Sequence, residues 1–193
     1  AAKKLLEEKG WTLGGDGVYT KGGTRAQFAL GFKTLDRRAK THQLVAQKCK
    51  EAGIQIDAAQ SDGFNADQLP ASAFDAALFA WVGGLTKSSA YQNYQTKEKG
   101  GNANYNLYSN ADVDRIWGEA NSNLDFAART KQLNEVDKLM AADMHSIPLF
   151  QLPDFSAQDA NIGVMGADGK VGDLTYLNFE GGPTYNMYAW VKR

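Results

Sequence analysis

The stretch DRRAKTHQLVAQKCKEAGIQIDAAQS, residues 36–61, changes hydrophobic period once, and that change decides the fold class. Over residues 36–52, Ala39, Leu44, Val45, Cys49 and Ala52 make an irregular but helix-like apolar face. Asp36 stands where an N-cap belongs and Gly53 where a C′ glycine does. Residues 54–61, IQIDAAQS, then read as a strand. Upstream, TRAQFALGF (residues 24–32) alternates as a strand does. Downstream, a short polar segment and Pro70 lead to FDAALFAW, residues 74–81, a third strand.

Outward from this centre the pattern continues. Residues 1–9 read as a helix that Gly10 stops, and WTLGGDGVYTKGG (residues 11–23) as a hairpin. Residues 85–106 are polar and rich in Ser, Asn, Gln, Tyr and Gly, the longest irregular region. A capped helix starts at Ser109 or Asn110. A longer one starts near Asp125, with Phe126, Leu133, Val136, Leu139, Met140 and Met144 at three- and four-residue steps. IPLFQLP (residues 147–153) reads as a strand, and YNMYAWVKR (residues 185–193) as a final one. Strands alternating with helices predict an α/β class with a parallel or mixed sheet.

Composition excludes several functions. The chain has 193 residues, 43% hydrophobic and 22% charged, with net charge -1, so no basic excess points to nucleic acid or an anionic membrane. The lone Cys49 forms no internal disulfide and lies on the apolar helix face. His42 and His145 sit in no metal or nucleophile motif, so no metal and no cofactor is expected. A dinucleotide reading of the glycines at 14–17 fails, because no strand precedes them and no helix follows; a calcium loop there lacks carboxylates. No GxSxG elbow exists. Asp112 and Asp114 lie two apart on a helix and face different ways, so they read as solvated charges at a helix N-terminus. Nothing asks for an enzyme. No run of 18 apolar residues occurs. The opening AAKKLLEEKGW is no signal peptide, and the chain reads as a mature or trimmed piece of something longer.

One place remains for a ligand. Open α/β sheets bind ligands beyond the carboxyl ends of their strands, and Trp81 ends the third strand. Its flat face suits a platform, and Gly83 and Gly84 allow close backbone approach.

Five segments, in order, resemble the C-terminal lobe of the family 5 solute-binding proteins, the extracytoplasmic receptors of peptide and nickel ABC transporters. They are AAKKLLEEKGW, AQKCKEAGIQID, FDAALFAWVGG, NLYSNADVDRIWGEA and RTKQLNEVDKLMAADMHSIPLFQ. The resemblance implies a periplasmic-binding-protein type II lobe, a mixed sheet flanked by helices. Residues 1–175 would form the C-terminal ligand-binding lobe, and residues 176–193 a tail returning to an N-terminal lobe. It implies a periplasmic or cell-surface lipoprotein origin, a signal region outside this chain, a peptide or other small solute as ligand, and an ABC permease as partner. Trp81 would wall the ligand and Val82, Gly83 and Gly84 would offer backbone groups; Ser88, Tyr91, Asn102 and Asn104 follow on the next loop. The family's peptide receptors place an Asp shortly after the Trp to hold the peptide α-amine. Here the aligned position is Gly84, and no carboxylate occurs before Glu98. The alternative is an interaction or scaffold module on the same fold, with no transport role.

Overall fold

The switch from helical to strand period near Gly53 is built as the sequence predicts. The computed structural model describes residues 1–82, 90–152, 159–173, 182–184 and 186–193. Two compact units divide it, residues 1–80 and 81–193.

In the first unit, helix α1 (Ala2–Glu8) precedes a small antiparallel sheet of β1 (Thr12–Leu13), β2 (Tyr19–Lys21) and β3 (Thr24–Arg25). Then β4 (Gln27–Lys33), helix α2 (Asp36–Glu51), β5 (Gln55–Ser61), a π turn (Phe64–Gln68) and β6 (Ala76–Ala77) build a second sheet of order β5-β4-β6, parallel throughout. Parallel neighbours need a crossover, and α2 supplies it between β4 and β5. Side chains alternate across β4, so Leu30 and Phe32 join Ile56 against Ala39, Val45 and Cys49 of α2. Burying each large apolar side chain there contributes about 1.5–3 kcal/mol. Cys49 is half-buried in this layer, in its expected place.

Helix α2 starts one residue earlier than Asp36 suggests. Leu35 is the N-cap, and Asp36 lies in the first turn, where a negative charge suits the helix dipole. Gly53 adopts φ +83° after the helix, and its N–H bonds to Lys50 O over 2.9 Å. A Cβ there would also lie 2.4 Å from the Tyr19 ring. Tyr19 is buried, and its hydroxyl donates to Glu7 Oε1 over 2.7 Å, tying the hairpin to α1. Arg25 ties the hairpin to the parallel sheet: it donates to Asp16, Gln27 and Gln55, while Gln27 and Gln55 both donate to Asp57.

The third strand is much shorter than residues 74–81. Only Ala76 and Ala77 pair with β4, opposite Leu30 and Gly31. On its amino side the cause is visible: the Ala29 N–H donates to Asp75 Oδ2 over 3.0 Å, so a side chain takes the bond a strand carbonyl would.

In the second unit, α3 (Tyr91–Tyr94) and a 3-10 turn (Lys97–Lys99) interrupt the polar region that reads as irregular. Helices α4 (Ala111–Ser122) and α5 (Phe126–Ala142) follow. The predicted cap forms at Asn110, which accepts from Asp112 N at 3.0 Å and Val113 N at 3.2 Å, and Asp125, at the expected start of the longer helix, caps it by accepting from Ala128 N at 2.8 Å. Their apolar stripes meet through Val113, Trp117, Val136 and Met140. Phe126 and Met144 belong to the predicted stripe but are 74% and 68% exposed, at and beyond the ends of the α5 contact.

Residues 147–152 form no strand. The composition suits one, but a strand exists only where a neighbour takes its main-chain groups, and none of the described residues does. Ile147, Leu149, Phe150 and Leu152 are exposed. A third sheet, β8-β7-β9, joins β7 (Ile162–Met165), β8 (Val171–Gly172) and β9 (Trp190–Lys192) in antiparallel pairs. The final strand is shorter than residues 185–193, because Met187–Ala189 turn as a 3-10 helix before it. No described helix is long and apolar enough to cross a membrane.

Candidate functional site

Trp81 opens the second unit, four residues after β6 ends. It is 40% exposed and stacks on Tyr105, with centroids 5.5 Å apart and planes 26° off parallel. An indole half open to solvent and backed by a second ring is a rigid flat surface with little rotamer entropy left to lose. Val82 beside it is 67% exposed. Gly83, Gly84 and Ser88 lie outside the described residues.

The loop that carries Tyr105 is closed on itself. Asn104 Nδ2 donates to Gln95 O at 2.9 Å and Tyr108 O at 2.7 Å, and its Oδ1 accepts from Tyr108 N at 3.1 Å. Its side chain is buried, and these main-chain groups occupy both ends of the amide. Gly101 makes the closure possible, since a Cβ there would fall 1.8 Å from Gln95 O. Asn102 is exposed on the same loop, held by a main-chain bond from its N–H to Gly100 O. Tyr91 is half-buried and turns its ring edge-on to Trp117 at 6.4 Å, as part of the α4–α5 core.

The predicted residues therefore separate by role. Trp81 and Val82 present open surface, Asn102 is open on the loop, Asn104 organises that loop, and Tyr91 packs. Tyr105 is the residue that the sequence reading did not single out. The loop's run of tyrosines was its only signal, and nothing in their spacing marked Tyr105 as the one to meet Trp81.

A buried carboxylate fixes the loop to α4. Asp114 Oδ1 accepts from Thr96 N at 2.8 Å, Oδ2 accepts from Thr96 Oγ1 at 2.6 Å, and Lys99 Nζ lies 3.5 Å away. Asp112 and Asp114 do face different ways, as i, i+2 residues must. Asp112 is exposed and pairs with Arg115, but Asp114 is 6% exposed and not solvated as expected, because Thr96 supplies the two donors that replace water.

Near the end of α5, Tyr108 donates to Asp143 Oδ2 at 2.7 Å and Asn110 donates to the same oxygen at 2.8 Å. Burial, then the bond to Asp143, pushes the Tyr108 hydroxyl up to about 12. The same bonds, that of Tyr108 first, hold the Asp143 carboxyl below its usual range. His145 packs edge-on against Tyr108 at 4.6 Å and Tyr94 at 5.4 Å, and burial holds its pKa down. Neither ring nitrogen of His145 has a hydrogen-bond partner among the described residues. Among those residues no group of three or more His, Cys, Asp or Glu is placed to hold a metal.

No family model matches the chain. It is 28% identical over 178 residues to the oligopeptide-binding protein OppA of Mycobacterium tuberculosis, covering 91% of this chain and 29% of OppA. Among solved structures, the fold resembles AppA from Bacillus subtilis in complex with a nonapeptide, at TM-score 0.65 and 24% identity, covering 73% of this chain and 29% of AppA. It also resembles NikZ from Campylobacter jejuni in complex with Ni(L-His), at TM-score 0.69 and 14% identity, covering 98% of this chain and 38% of NikZ. The chain thus spans less than a third of the length of OppA, although the match covers most of the chain itself. Its homologues are oligopeptide- and nickel-binding members of solute-binding family 5, and it carries the type II periplasmic-binding-protein fold.

Proposed function

We propose that this chain is the C-terminal ligand-binding lobe, residues 1–175 with a tail at 176–193, of the substrate-binding component of an ABC importer. The observation that carries the reading is the kinship of nearly the whole chain to an oligopeptide-binding protein. The site is the surface around Trp81 and Val82, with Tyr105 backing the indole and Asn104 organising the following loop; Gly83, Gly84, Ser88, Tyr91 and Asn102 are its further candidates by sequence. The ligand is a peptide or other small solute, closed between this lobe and an N-terminal lobe of the same protein by hinge motion, then passed to a permease. The setting is extracytoplasmic, and no catalytic step is assigned. Because no carboxylate occurs from Trp81 to Lys97, the ligand is gripped by stacking and main-chain bonds rather than by an anchor for a peptide amine.

The test is Trp81→Ala in the full-length protein, titrated against peptide and metabolite libraries. Loss of a single stacking platform weakens binding by about 1–3 kcal/mol, roughly fivefold to 150-fold. Unchanged affinity for every ligand found would sink the assignment. The exposed run Ile147, Leu149, Phe150 and Leu152 favours the second reading, an interaction module, and that reading wins if no solute binds while a protein partner does.

A further inference from the structure

Helix α5 ends on a sharp backbone turn that delivers one histidine into an aromatic cluster. Met144 takes φ +53°, the left-handed region that residues other than glycine mostly avoid. Its N–H donates to Ala141 O at 3.2 Å and the His145 N–H to Met140 O at 3.1 Å, which closes the last turn of the helix. The His145 ring then packs edge-on against Tyr108, with centroids 4.6 Å apart, and against Tyr94 of α3 at 5.4 Å. Tyr94 in turn stacks on Trp117 of the α4–α5 core, with centroids 5.5 Å apart. Tyr94 and Tyr108 stand at the two ends of the loop that carries Tyr105, so one imidazole touches both ends of that loop.

Both ring nitrogens of His145 are hidden from solvent, and neither is hydrogen-bonded among the described residues. The titratable and charged groups around the ring come from every element packed there. They are Tyr94 of α3, Asp137 of α5, whose charge reaches Tyr94, Tyr108 of the loop, Asp114 of α4, whose charge reaches Tyr108, and Asp143 at the end of α5. Asp114 is engaged by Thr96 and Lys99, and Asp143 Oδ2 by Tyr108 and Asn110. A neutral imidazole suits this place. A proton on it would create an ion with two N–H donors where no acceptor receives them, and burial holds the ring's pKa below its usual value. Two strained residues favour departure once the packing weakens: Met144, and Leu107 in the loop itself at φ +55°.

We propose that His145 is an acid-sensitive latch on the loop from Gln95 to Tyr108: neutral, it clamps both ends of the loop, and protonated, it leaves the cluster and lets the loop open. The consequence reaches Tyr105, which lies in that loop and backs Trp81. The aromatic surface is thus assembled at neutral pH and loosened in mild acid. The latch concerns the loop and not what binds beside it, so it stands or falls apart from the transport reading. Linkage sets its size. As pH falls from 6.5, the ordinary value, toward the depressed value of the packed ring, each pH unit moves the ratio of closed to open loop by up to about tenfold toward open.

The test is proton NMR of the intact chain, titrated from about pH 8 to about pH 5. Through-space contacts with the Tyr94 and Tyr108 rings tell the His145 signal from that of His42, the other histidine. His145 should titrate with a midpoint below 6.5. The Tyr105 ring protons, displaced at neutral pH by the stacked indole, should return toward ordinary positions along the same curve. Exchange of the Tyr108 N–H, which is bonded to Asn104 Oδ1, should speed roughly tenfold beyond its intrinsic pH dependence. His145→Phe keeps a ring in place without a titrating nitrogen, and in it neither Tyr105 nor Tyr108 should respond. The proposal is overturned if the midpoint lies at or above 6.5, if Tyr105 and Tyr108 ignore the His145 titration, or if they respond equally in His145→Phe. The first two results come from the unaltered chain and decide the matter even if the variant fails to fold.

Discussion

Asp114 holds Thr96 twice, taking its backbone N–H at 2.8 Å and its hydroxyl at 2.6 Å from a site that is 6% exposed. A buried carboxylate in that position fixes where the loop from Gln95 to Tyr108 leaves helix α4, and therefore where Tyr105 meets Trp81.

Removing the carboxylate leaves the partly buried Thr96 N–H without its acceptor. Asp114→Ala should cost about 2–4 kcal/mol by denaturant unfolding, the range for breaking a buried charge-assisted pair. Asp114→Asn keeps one acceptor oxygen and should cost about half as much. Equal stability of all three proteins would show that the loop does not depend on this anchor.

Gly53 answers two demands at once, a positive φ of 83° and a ring lying against its α-carbon. Gly53→Ala should therefore destabilise by more than the ~1–2 kcal/mol of the left-handed backbone alone. Gly22 is the comparison, because its φ is +56° with nothing within 4 Å of a Cβ. Gly22→Ala should show the backbone cost only. If thermal unfolding gives the two variants the same loss, the Tyr19 contact adds nothing.

Trp81 and Tyr105 should be energetically coupled. A double-mutant cycle with Trp81→Ala and Tyr105→Ala, read by chemical denaturation, should give a coupling of about 0.5–1.5 kcal/mol, the value for an offset aromatic pair. Strict additivity would mean that the rings are neighbours without interaction.

Much of the fold was legible because it is written in local periods. The strand–helix–strand of residues 27–61 and the two capped helices rest on spacing, a cap residue and a stop glycine, all of which a sequence displays. What was not legible depends on partners distant in the chain. The segment at 147–152 has a strand's composition, yet pairing is a property of two segments, and one sequence window cannot state it. The third strand shortened because Asp75 competes for Ala29's N–H across 46 positions. The site was half visible. Trp81 stood out as an aromatic residue at a strand end, but Tyr105 and Asp114 act through contacts formed only once the loop folds back on α4.

The Tyr108–Asp143 bond predicts losses of stability at both ends of the pH scale. Tyr108 is raised from 10.0 to about 12 in the folded chain, so between these values the unfolded chain has released a proton that the folded one retains. Stability from this group is complete below pH 10 and falls as pH rises toward about 12. Asp143 is shifted the opposite way, below 3.8. Its contribution is present above that pH and disappears as pH falls through the depressed folded value. Urea midpoints measured across the pH range should show both slopes. Tyr108→Phe has no titrating hydroxyl and gives Asp143 no bond, so it should flatten the alkaline slope and reduce the acid one. Unchanged slopes in that variant would place the titration elsewhere in the chain.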